Sequence, residues 1–184
     1  DPGTSMAMTT AQLVVAKYRE DVSWVNEVGL PAVIYDKSGE TSDYHPLPNI
    51  GRETHTYLHH LVFSYPNFPE YVAFLQGDPF THMAPAEALR PTPGELRLQL
   101  EEGMAKNMPF KGFAFYKLRC DHLGRPHAMR DPSSQGRWAG YGRDIPVGPV
   151  YDQLFAGPVP LSYHVKAPAG CFMVRRDRIL TRPK

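Results

Sequence analysis

The stretch NIGRETHTYLHH, residues 49–60, gathers an Asn-x-Gly, an Arg-Glu pair and three histidines. Arg52 and Glu53 open what reads as a helix. The N–H groups and dipole of a helix N-terminus attract anions. An Arg at that place can grip a phosphate or carboxylate with two parallel donors. Glu53 is a candidate general base for an acceptor hydroxyl, with nothing in the sequence to single it out over Asp144 or Asp152; its other reading is an early-turn Glu that balances the helix dipole. Asn49 and His55 are candidate substrate contacts. His55 and His59 are four apart and share a helix face, but no Cys or Glu stands at a spacing that would complete a zinc site.

A second candidate is Asp78 in QGDPFTH. A hard divalent ion such as Mg2+ or Mn2+ takes oxygen ligands, and one carboxylate plus substrate phosphate oxygens can suffice. His82, four residues on, is its candidate companion. The competing reading is a Gly-Asp-Pro turn in which Asp accepts backbone N–H groups. Glu20 and Asp21 follow a strand and either recognise polar ligand groups or cap the next helix. Trp138, in GRWAGYGRD, could stack on a sugar or base, or pin its loop. Cys120 and Cys171 have no neighbouring base and read as small buried hydrophobes. There is no G-x-S-x-G, P-loop or G-x-G-x-x-G.

The elements that must hold these residues follow from periodicity. Strands are expected at 11–18, 31–36, 71–76 and 112–120. Helices are expected near Val22 to Val28, at 53–65 and at 92–107, the last with a Thr or Pro start. On 53–65 the apolar stripe is Tyr57, Leu58, Leu61, Val62 and Tyr65. A short helix is expected in VGPVYDQLFAG, then one or two strands and a helical turn up to Leu180. Alternating strands and helices imply a mainly parallel sheet flanked by helices, a three-layer α/β domain. Ligands of such sheets bind beyond the carboxyl ends of the strands. Those ends carry Arg19, Glu20 and Asp21, then Asp36 and Lys37, then Gln76, Gly77 and Asp78.

The bulk numbers bound the alternatives. The 184 residues are 42% apolar and 21% charged with net charge +1. One domain over 11–184 is expected, with no field to favour nucleic acid or a membrane surface. No run approaches a membrane span. Two cysteines and no signal-like opening lead to the expectation of a reducing, cytoplasmic setting. The opening DPGTSM reads as a remnant of expression ending at a native Met6. The 19 prolines imply long, fixed loops. Basic residues from Arg175 to Lys184 form either a solvated tail or an anion-facing patch.

The segments LVVAKYREDVSW, VIYDKSGE, LPNIGRETHTYL, YVAFLQGDPF and CFMVRRDRIL resemble a family known as domain of unknown function 3431. More loosely, they resemble the nucleotide-sugar glycosyltransferases of the GT-A fold. That second resemblance implies that Glu20, Asp21 and Asp36 lie near the nucleotide, that Asn49 to Gly51 opens the next helix, and that Arg175 closes the acceptor side. It also implies a divalent ion at the end of the third strand. There the chain departs from the pattern, since Gln76 replaces the first of two expected Asp residues. The expectation is an enzyme that transfers a sugar from a nucleotide sugar to an acceptor hydroxyl, with a small molecule as its partner. Two alternatives stay open: a metal-free Glu/His acid–base enzyme, and a non-catalytic carbohydrate- or nucleotide-binding module. Oligomeric state is not legible.

Overall fold

The computed structural model describes residues 11–115, 118–121, 147–155, 157–158, 162–165 and 169–183. The chain forms two compact units, one of residues 1–115 with 169–184 and one of residues 116–168. In chain order the strands are β1 (Ala11–Lys17), β2 (Ala32–Asp36), β3 (His45–Pro46), β4 (Tyr71–Gln76), β5 (Phe110–Gly112), β6 (Leu118–Asp121), β7 (Ser162–Val165) and β8 (Phe172–Arg175). The main helices of the first unit are α1 (Trp24–Val28), α2 (Arg52–Ser64) and α3 (Pro93–Ala105). The second unit carries the antiparallel pair β6–β7 and a helix at Val147–Leu154.

The first unit is built on a six-stranded mixed sheet in the order β3-β2-β1-β4-β8-β5. β1 pairs in parallel with both β2 and β4. β8 runs antiparallel to β4 and to β5. The fold is α/β, and β8 is the one strand of this sheet that runs against the other five. β1 has parallel partners on both sides and is buried nearly throughout, as its unbroken apolar run requires.

Alternation along the strands builds two cores. Leu13, Val15, Tyr71, Ala73 and Leu75 pack with Trp24, Val25 and Val28 of α1 and Leu96 and Leu100 of α3. Val14, Ala16, Val72 and Phe74 pack on the other face with Tyr57 of α2. α3 starts at a full capping box: Thr92 accepts from the Glu95 N–H, and Glu95 accepts from the Thr92 N–H.

Two expectations are corrected. The strand expected at 112–120 is two strands, β5 and β6, in different sheets. The Phe113 N–H still reaches Cys171 O, but the Phe115 N–H turns to His82 O, so the ladder on β8 ends there. The buried side of α2 is Thr56, Tyr57 and His60, while Leu58 and Val62 are exposed. His60 can enter the core because its Nδ1 lies 3.0 Å from Tyr35 Oη, so its burial leaves that polar atom paired.

Candidate functional site

The chain runs from β1 outward to β2 and β3, then returns to place β4 on the other side of β1. Between β1 and β4 the strand order therefore reverses, and such a point opens a crevice at the carboxyl ends. A cavity of about 260 Å³ lies there, lined by Ala16, Lys17, Tyr18, Glu20, Lys37, Asn49, Arg52, Glu53 and Gln76.

The backbone around residue 51 shapes one wall. Gly51 and Arg52 both have positive φ, +60° and +50°. Gly suits the first, but an Arg in that region is uncommon and is held there by its surroundings. The holder is Lys37, whose Nζ donates to Ile50 O at 2.6 Å and to Arg52 O. Lys37 is buried, and that burial lowers its pKa while the Glu53 carboxylate works against the shift. The clamp leaves the Arg52 side chain 93% exposed at the cavity mouth, with Nε 3.9 Å from Glu53 Oε2.

Glu53 is one-quarter exposed and packs against Gly170. Gly170 has φ +67°, and a Cβ there would stand 3.3 Å from Glu53 Oε1. Gln76 donates from Nε2 to Ala169 O at 2.5 Å. With the nitrogen committed, its Oε1 is left to accept from a ligand. Glu20 accepts from the Tyr18 N–H at 2.7 Å and lies over Gly77, where any Cβ would fall 2.6 Å from Glu20 Oε2. Lys17 Nζ donates to Asp36 Oδ2 at 3.2 Å and to Tyr18 O at 3.3 Å. The site thus sets Lys17, Lys37 and Arg52 beside the acceptors Glu20, Glu53 and Gln76.

Of the residues picked from the sequence, Glu20, Asn49, Arg52, Glu53 and Gln76 come together in this cavity. Others lie apart from its lining. Asp36 is buried; burial would raise its pKa, but bonds from Ser38, Ser42 and Lys17 outweigh that and lower it to about 2. Asp21 folds back on Ser23, accepting from its N–H at 2.9 Å and its hydroxyl at 2.8 Å. His55 sits on α2 beside His59, their ring centroids 6.3 Å apart. Asp78 Oδ1 is 2.7 Å from Arg90 Nη2. His82 lies in the 3-10 turn Phe80–His82. Arg175 makes a two-pronged contact with Asp177, 2.7 Å on each prong, and also bonds Asn107. Because β8 is antiparallel, Arg175 pairs with Tyr71 at the start of β4, the opposite edge of the sheet from the cavity. Trp138 and Cys120's side chain fall outside what is described.

Lys17 and Tyr18 are contributors that sequence reasoning passed over, and Lys37 was noted there only as a strand-end residue. Each follows or ends a strand beside a noted residue, and that position is the signal that could have found them. A divalent ion fits the expected place poorly. Asp78 is engaged by Arg90 and lies outside the cavity lining, and Gln76 is neutral. No helix among the described residues is long and apolar enough to cross a membrane.

The chain belongs to the family described as protein of unknown function, domain of unknown function 3431, which matches residues 13–184. No curated protein matches it. Among solved structures it is similar to CMP:2-keto-3-deoxy-manno-octonic acid synthetase complexed with CTP. The two share 11% identity and a TM-score of 0.41, over 95% of this chain and 79% of that one.

Proposed function

We propose that this family member is an enzyme that transfers a sugar from a nucleotide sugar to an acceptor hydroxyl in the cavity between β1 and β4. The observation that carries the reading is one cavity that unites Arg52 at the mouth of α2, the ammonium groups of Lys17 and Lys37, and the Glu53 carboxylate. The diphosphate lies on the cationic side, where helix N–H groups and guanidinium donors meet an anion. Sugar hydroxyls donate to Glu20 and to Gln76 Oε1. Tyr18 offers its ring to the base, an arrangement that supplies apolar contact at a wet rim.

In the reaction the acceptor oxygen bonds to the anomeric carbon. The bond from that carbon to the diphosphate oxygen breaks, and the electron pair leaves with the diphosphate. Glu53 takes the proton of the acceptor hydroxyl. Preorganised cations stabilise the charge that develops on the leaving oxygen. No step runs through a metal.

The test is a thermal shift of the full chain against nucleoside diphosphates and nucleotide sugars at millimolar concentration. Ligands that bind the native state raise the melting temperature by linkage. A rise for one nucleotide that is lost in Arg52→Ala is the expected result. No rise for any nucleotide sinks the reading and turns the search to small acidic metabolites that a Glu/His pair could process.

A further inference from the structure

We propose that Lys17, Lys37 and Arg52 neutralise the leaving diphosphate in place of a divalent cation, an inference that rests on the transfer reading above. At the end of β4, the side chains that would hold an ion have other work. Gln76 is uncharged and its amide nitrogen is bonded to Ala169 O. Asp78 is bound by Arg90, and the pair is shielded on both sides, each side chain about two-thirds buried. Asp78 also lies outside the residues that line the cavity.

Positive charge is instead part of the wall. An ammonium has three donors. Lys17 spends two on Asp36 and the Tyr18 carbonyl, and Lys37 spends two on the Ile50 and Arg52 carbonyls. One donor of each remains for a ligand. Arg52 keeps most of its fork, since its ion pair with Glu53 is long and open to water. Asp36 offsets Lys17, and Glu20 and Glu53 temper the rest, so the cavity is not a general polyanion trap. Lys37 and Arg52 stand together at the entry to α2, the side of the helix N-terminus. Cations fixed by the fold need no recruitment or reorganisation when the leaving group departs.

The experiment is titration calorimetry of inorganic pyrophosphate into the full chain, first in EDTA and then in excess Mn2+. The expected result is binding in EDTA that excess Mn2+, which itself complexes pyrophosphate, does not strengthen. Arg52→Ala, an exposed change that the fold tolerates, weakens that binding about tenfold, the loss of a charged hydrogen bond. Asp78→Asn leaves it intact. Arg90→Gln, which releases Asp78 without removing it, introduces no metal dependence. Binding that needs Mn2+ and vanishes in Asp78→Asn overturns the inference and leaves the transfer reading standing. Absence of binding in both buffers overturns the two together.

Discussion

At the scale of single residues, Glu53 is where chemistry and position coincide. Glu53→Gln keeps the shape and removes the base. Transfer is expected to fall by about 10² to 10⁴, with the nucleotide-induced melting shift retained; parallel activity and thermal-shift assays check this. Tyr57 makes a different point. Its ring packs on Phe74 and Phe172, yet its buried hydroxyl has no hydrogen-bond partner. Burial first, then the Cys171 and Glu53 groups, push its pKa well up and keep it protonated. Tyr57→Phe removes an oxygen that already forgoes water, so stability should rise by about 1 kcal/mol, read from the urea midpoint. Arg52 and Glu53 were legible because a helix mouth announces itself in sequence. Lys17 was not, because a lysine that ends a strand usually faces solvent, and Lys37 was legible only as a strand-end residue. Only the fold shows Asp36 beside one and two carbonyls of the 50–52 turn around the other. Asp78 was legible as both ligand and turn; its partner Arg90, twelve residues away, decides between contacts that local spacing cannot rank.

At the scale of elements, the entry to α2 is the feature on which the site depends. Gly51→Ala would place a methyl 2.9 Å from the His55 Cβ in a left-handed backbone. The expected cost is about 1 kcal/mol or more, together with weaker pyrophosphate binding because Arg52 loses its platform. Denaturant melts and calorimetry on the same variant separate the two effects. Strands β1, β2 and β4 and all three main helices were readable from apolar period, caps and breakers. The direction of β8 was not, because its four residues read the same in either orientation and direction is decided by the long connection before it. Arg175 therefore pairs with Tyr71 at the start of β4, away from the cavity. The seam of α2 was read in part: Tyr57, Leu61 and Tyr65 pack on the core as the apolar period requires, but Leu58 and Val62 are exposed and His60, bonded to Tyr35, takes a buried place.

At the scale of the whole molecule, acid should loosen the fold in two windows. Burial lowers the His60 pKa to about 4, and His59 adds to the shift. The folded pKa lies below the unfolded value of 6.5, so the unfolded chain binds more protons in between. This contribution is therefore complete above pH 6.5 and is lost as pH falls toward 4, by about 2 kcal/mol between pH 7 and pH 5. Urea midpoints at those two pH values should show the drop, and His60→Gln should flatten it. Asp36 acts lower: its folded pKa of about 2 lies below the unfolded 3.8, so its contribution persists above 3.8 and disappears as pH falls through 2. The placement of β8 has a further reach. In the fold β4 pairs with β1 on one flank, while its other flank is paired by a strand about a hundred residues later in the chain. On a ribosome, that flank of YVAFLQ is a bare apolar edge for as long as the intervening chain takes to be made, and bare edges of this kind recruit other chains. Yield in a cell should then depend less on the finished protein's stability than on how long its newborn form is sheltered.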